Sequence, residues 1–464
     1  MVLFLIITFL EIGGLLLKKE KLHSFTIEYK TDIQEIYKNI KDSLLFNYIY
    51  DEEFLKHSVI LLISGTLLFL ADYFTLYNYL QWYTYILFIS SYILSGGKTF
   101  ILAFRSFIQG NVVDEKFLII IATIGTALLG KYSESVFVML FYEVGKIFED
   151  YAMNKCKASL SSYIELKPSI LSKKTNLEKY INRFTYYYKI AIVMMATLLA
   201  LVPPLFLEDG SYKVWIYKGL IFLVICIPYG FVLCIPLTYL CGICCALQHE
   251  IIIKDVTTLE SLNNAETIIF HNSEKFSNKF VSADVISEIK KTIIDLKSLN
   301  VKNTVLLYDN NKNIGEYIGK VLGFDLIYTD LSINKKIIIL QELIKNTSSQ
   351  GKVVFIGDSI SYNNLSFNCD INISINNLNY KNMTYNNDIV IKHNSPYKIS
   401  DTLKIAKFTS LIARENIIFT VIVKTLLLAF TTFGYVNMWE AIFADISISI
   451  IVILNSMRAM NIEL

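Results

Sequence analysis

Eight apolar stretches, at approximately 58–77, 80–97, 116–131, 134–151, 187–207, 214–246, 415–434 and 437–457, limit what this chain can fold into more than any other feature. A helix needs roughly 20 such residues to cross a bilayer, because inside lipid every backbone polar group must be satisfied within the segment. Most of the stretches arrive as close pairs joined by a few residues, which predicts helical hairpins. Hydrophobic residues make up 54% of the 464, and the mean hydropathy is +0.46, so the expected class is a polytopic membrane protein with the lipid bilayer as its first partner. The 14% aromatic content suits side chains at lipid interfaces. A formal net charge of +2 gives no reason to expect nucleic acid or acidic substrates.

Lysine and arginine near span ends stay on the cytoplasmic side. Lys18, Lys19, Lys21, Lys98, Arg105, Lys155, Lys157, Lys167, Lys173, Lys174 and Arg183 fall in alternate connections, whereas the turn 207–212 carries Glu208 and Asp209. A multi-pass cell-membrane protein with both termini and the segment 248–413 in the cytoplasm follows. Residues 1–17 are short for a span and are interrupted by Glu11 and the Gly13-Gly14 pair, which leaves a ninth span or signal anchor open.

Segment 248–413 reads differently. TIIFH at 267–271, TVLLYD at 304–309 and KVVFIGD at 352–358 are β-branched runs of the kind buried on both faces of a parallel sheet, and 283–299 and 333–346 carry apolar residues at helical spacing between them. The expected fold is therefore an α-helical membrane protein of about eight spans with one cytoplasmic, Rossmann-like α/β domain. Its divisions are an N-terminal segment 1–57, helices one to six over 58–247 with a short cytoplasmic loop 152–186, the α/β segment 248–413, and the last two helices over 414–464.

Several residues inside the apolar stretches carry chemistry. Pro228 removes a backbone donor and predicts a kink. Lys424 and Asp445 interrupt the last two stretches, and charges in lipid are costly enough to be paired or functional. Of seven cysteines, Cys226, Cys234, Cys241, Cys244 and Cys245 lie in or beside one stretch, while Cys156 and Cys369 are isolated in sequence. This is no secreted disulfide framework. Cys234, Cys241 and Cys245 share a helical face, which is either packing or a soft-metal surface.

Three segments resemble the heavy-metal, zinc/cadmium-type P-type ATPases: ATIGTALLGKYSESVFVMLFYEVGKIFEDYA at 122–152, FLVICIPYGFVLCIPLTYLCGICCALQHEIIIKDVTTLESLNNAETIIFH at 222–271, and WEAIFADISISIIVILNSMRAM at 439–460. The resemblance covers about 58–460 and agrees in helix count, since this branch has two leading helices before a six-helix core. It implies a haloacid-dehalogenase-like fold for the α/β domain. It also shows what this chain lacks. The strand TIIF runs into His271-Asn272-Ser273 where the family has DKTGT, so the phosphorylated aspartate is replaced by His271. Leu307-Tyr308-Asp309 stands for TGD, and Asp358 and Lys336 remain at eroded motif positions, where Asp358 reads as a strand-end cap and Lys336 as a solvated helix charge. About ten residues replace the nucleotide-binding domain, and 165–184 bridges the place of the actuator domain.

The family's CPC motif is Ile227-Pro228-Tyr229 here, and Cys226 lies one position too early to replace either thiolate. Lys424 and Asp445 match the zinc/cadmium branch's metal site and built-in counter-ion. Glu134, Glu143 and Glu149 match a release path in which Lys146 takes the place of an acid. Residues 25–40 are similar to the end of a small metal-binding domain whose CxxC is absent. The leading expectation is a pseudoenzyme: a membrane scaffold derived from a cation-transport pump, without Mg²⁺ or ATP binding and with no certain cofactor. The alternatives are a passive or regulatory membrane protein that holds Zn²⁺ or another divalent metal ion, and a subunit completed in trans by a complete paralogous pump.

Overall fold

The computed structural model describes residues 52–77, 81–110, 114–164, 175–206, 211–226, 229–272, 283–309, 312–358, 369–375, 388–391, 396–462 and 464. Helices α1 (Glu52–Leu76), α2 (Gln81–Ile108), α3 (Glu115–Leu128), α4 (Tyr132–Ile164) and α5 (Asn176–Leu201) come first, followed by a short turn Pro203–Phe206. The stretch expected at 214–246 is divided into α6 (Tyr212–Cys226) and α7 (Tyr229–Gln248). Pro228 falls between them, outside the described residues. Among the described residues, four helical segments are long and apolar enough to cross a membrane by length and composition: Phe54–Leu76, Trp82–Ile108, Asn176–Phe206 and Met438–Met460; Cys234–Gln248 is a shorter apolar helix. Their outward faces carry exposed Ile60, Ile63, Phe69, Ile86, Ile93, Met194, Leu198 and Ile451, a surface suited to lipid and costly in water. Inward, Ala122, Val138, Met139, Ile221, Ile225, Ala441 and Ile442 form one apolar core. Residues 60–464 make up a single compact unit.

After α7 the chain builds a seven-stranded sheet. Its elements are β1 (Ile251–Ile253), α8 (Val256–Asn263), β2 (Ala265–Asn272), α9 (Ala283–Ser298), β3 (Asn303–Tyr308), α10 (Lys312–Leu322), β4 (Leu326–Thr329), α11 (Ile333–Asn346), β5 (Lys352–Asp358), β6 (Ile371–Ile375) and β7 (Ile389–Ile391). The strand order is β1-β7-β6-β5-β2-β3-β4. The three strands expected from sequence are neighbours and parallel: Ile269 pairs with Val305 of β3 and with Phe355 of β5. Among the described strands only β1 runs antiparallel, against β7. Alternate residues serve opposite faces. Ile269, Val305, Leu307, Val353 and Phe355 pack against Leu340 and Leu343 of α11, whereas Ile268, Phe270, Leu306, Val354 and Ile356 join the core that continues through α9 into the bundle.

Local chemistry ends the helices on time. Asn300 takes the left-handed conformation after α9, with Val301 N–H donating to Leu296 O at 3.2 Å, and Gly323 does the same after α10. Both are residues that tolerate positive φ, and each turns the chain directly into the next strand. The 36-residue α12 (Tyr397–Thr432) then carries the chain back: Ile399, Leu403 and Ala406 pack in the sheet-side core and Lys424 lies buried among the bundle helices. Helix α13 (Met438–Met457) closes the bundle.

Candidate functional site

The chain order of the sheet reverses beside β2, since β3 and β4 lie on one side and β5, β6 and β7 on the other. Carboxyl ends of strands at such a reversal form the ligand crevice of doubly wound folds. His271 is near the end of β2, Asp309 directly follows β3, and Asp358 ends β5. The side chain of Asp358 lies outside the described atoms. Lys336, in the first turn of α11, reaches the same place: its Nζ is 2.5 Å from Asp309 Oδ1 and 3.1 Å from His271 Nε2, which is itself 3.2 Å from Asp309 Oδ2.

Lys336 is 5% exposed and His271 7%. The reading of Lys336 as a solvated helix charge is therefore corrected. A helix begun at Ile333 aims that side chain over the sheet edge, and burial of its ammonium is compensated by the carboxylate it meets. His271 Nε2 faces a donor and an acceptor but can serve only one: as N–H it donates to Asp309, and as a lone pair it accepts from Lys336. In either tautomer Asp309 keeps its lysine. Burial alone would raise the Asp309 carboxyl, but hydrogen bonds and charge from His271 and Lys336 outweigh it and hold the group below the usual carboxylate range. The result is a self-compensated triad, with its carboxylate already committed to a protein cation.

A second buried polar centre lies in the bundle. Lys424 on α12 and Asp445 on α13 form an ion pair at 2.6 Å, and Lys424 Nζ also donates to Ile225 O at 3.2 Å. Ile225 stands near the carboxyl end of α6, so the lysine meets the negative end of that helix's dipole as well as neutralising the acid. Asp445, Tyr142, Gly145 and Ser449 border a cavity of about 30 Å³, enough for a water-sized occupant.

The remaining expected residues scatter. Glu134 binds Lys131 at 2.9 Å and accepts from Tyr217 at 2.5 Å, and Glu143 is buried and accepts from Thr99 of α2. Cys234 and Cys245 are buried along α7. Cys241, by contrast, meets Cys156 of α4 with sulfurs 3.2 Å apart; a residue isolated in sequence is not isolated in space. The side chain of Cys226 is outside the described atoms. Among the described residues, no three His, Cys, Asp or Glu side chains are grouped to hold a metal ion. Sequence reasoning missed the Ile225 carbonyl, Cys156 and Thr99 as contact partners, for which no local pattern gives a signal.

No protein-family profile matches the chain. Individual proteins do. A cadmium, zinc and cobalt-transporting ATPase of Bacillus subtilis (strain 168) is 23% identical over 82% of this chain and 83% of its own length. A zinc-transporting ATPase of Synechocystis sp. is 21% identical, with 80% of each chain covered. Among solved structures, a zinc-transporting PIB-type ATPase superimposes with a TM-score of 0.58 at 16% identity, covering 88% of this chain and 100% of that one. A second structure of a zinc-transporting PIB-type ATPase, in a different state, gives 0.53. In sequence over about four fifths of its length, and in fold, this chain resembles the heavy-metal P-type ATPases of the zinc- and cadmium-transporting kind.

Proposed function

We propose that this chain is a P-type heavy-metal ATPase homologue that has lost ATP hydrolysis and serves as a membrane scaffold, a pump body of eight spans whose haloacid-dehalogenase-like domain and termini face the cytoplasm. The observation that carries the reading is His271, seated at the end of the central strand and closed in by Asp309 and Lys336. An imidazole there cannot form the acyl phosphate on which the family's cycle depends. By the same resemblance Asp358 is the carboxylate that would hold magnesium, and with His271 in place of its partner a single carboxylate makes a poor magnesium site. The connections at 165–174 and 273–282 give further support, being too short for an actuator or nucleotide-binding domain. The alignment to the Bacillus relative extends over 584 positions, more than the 464 residues of this chain, so that relative carries segments without a counterpart here.

The test is direct. Purified full-length protein with Mg²⁺ and γ-labelled ATP should form no hydroxylamine-sensitive phosphoprotein, and an acyl phosphate at any residue overturns the proposal. An acid-labile, base-stable label lost in His271→Ala would replace it with a phosphohistidine role. The Lys424–Asp445 pair beside a water-sized cavity supports a second reading, retained binding of Zn²⁺ or a similar divalent ion. Under that reading Zn²⁺ raises the melting temperature and Asp445→Asn abolishes the rise. No zinc response in the wild type removes it.

A further inference from the structure

The bundle holds a thiol contact that neither the triad nor the membrane ion pair uses. Cys156 on α4 and Cys241 on α7 are 85 positions apart in sequence, yet their sulfurs are 3.2 Å apart, and Cys244 Sγ donates to the Cys156 carbonyl at 3.6 Å. Cys156 and Cys241 have no solvent exposure and Cys244 has 2%. Two sulfurs on different helices are thus positioned by packing, while the third thiol fixes the α4 backbone beside them. They lie towards the end of α7 from which the chain enters the sheet, with β1 starting at Ile251 after a turn in which Glu250 has positive φ.

We infer that Cys156 and Cys241 form an oxidation site, a dithiol that a peroxide converts to a disulfide tying α4 to α7. The sulfurs need to close by only about 1.2 Å to reach the covalent distance of roughly 2.05 Å. In the step, one sulfur attacks the peroxide O–O bond, giving a sulfenic acid and one water. The second sulfur then attacks the first, the S–S bond forms, the S–O bond breaks and a second water leaves. Two electrons pass from the sulfur pair to the peroxide. Hydrogen peroxide is small and uncharged, so it can enter an apolar interior that larger reagents cannot. The product pins α7 against α4 next to the sheet, and its bond closes a loop containing α5 and α6. This inference does not depend on whether the chain hydrolyses ATP.

The experiment uses the full-length protein in membranes or detergent, treated with hydrogen peroxide and then with iodoacetamide. Peptide mapping of the wild type should join the fragment bearing Cys156 to the one bearing Cys241, with the mass of two hydrogens lost and restored by dithiothreitol. Faster non-reducing electrophoretic mobility should accompany the link, vanish in Cys156→Ser and Cys241→Ser, and persist in Cys234→Ser, Cys244→Ser and Cys245→Ser. Absence of the link from wild-type protein overturns the inference, as does a link mapped to another pair. The wild-type mapping decides the matter even if a serine variant fails to fold.

Discussion

The residue with the clearest energetic signature is Lys336. Replacing it with Met leaves the half-buried Asp309 carboxylate without its cation, which should lower stability by about 2–3 kcal/mol, read as a fall in the denaturation midpoint; an unchanged midpoint would show the pair to be idle. The pH dependence has a fixed sign. The folded-state Asp309 carboxyl lies below its ordinary value of 3.8, so its contribution is fully present above that value and is lost as pH falls through the folded value. Asp309→Asn should therefore flatten the acid limb of a melting-temperature profile below pH 3.8, with little change in its shape at neutral pH. In the bundle, Asp445→Asn and Lys424→Met should each cost at least about 2.5–3.5 kcal/mol, because each strands one charge inside the membrane. The double variant should recover part of the loss. Additive losses would mean that the two groups do not interact.

Among the elements, α5 and α6 depend on close backbone approach. A Cβ built on Gly219 of α6 would lie 2.9 Å from the Ala196 carbonyl of α5, a backbone atom that cannot rotate away, whereas one on Gly65 of α1 meets nothing within 4 Å. Small residues let membrane helices pack at such distances. Gly219→Val should consequently lower the melting temperature strongly and Gly65→Ala should leave it unchanged or slightly raised. Equal effects would refute the packing argument. Glu260 of α8 also accepts from Asn176 N–H at 2.6 Å and Leu177 N–H at 2.8 Å. A sheet-side helix thereby caps the first turn of a bundle helix, and the two parts share hydrogen bonds as well as apolar contacts.

For the whole molecule, the charge pattern and the long α12 make one topological statement. The connection 165–174 and the sheet should share one side of the membrane, and the turn 207–211 should lie on the other. Protease digestion of sealed inside-out vesicles should cut the first two and spare the third. Cleavage at 207–211 together with protection of the sheet would invert the assignment.

The strands β2, β3 and β5 were legible because an interior parallel strand is buried on both faces and must be continuously apolar, as TIIF, TVLLY and KVVFI are. Strand β6 was not, since Asn372 and Ser374 interrupt it and are buried all the same, a fact that local pattern cannot express. The meeting of Lys424 and Asp445 followed from the price of charge in lipid, which acts at each position separately. The His271–Asp309–Lys336 triad and the Cys156–Cys241 contact were decided by tertiary structure. Sequence periodicity settles which face of an element is apolar, but which side chains meet across 65 or 85 positions depends on how helices and sheet pack, and no local preference records that choice.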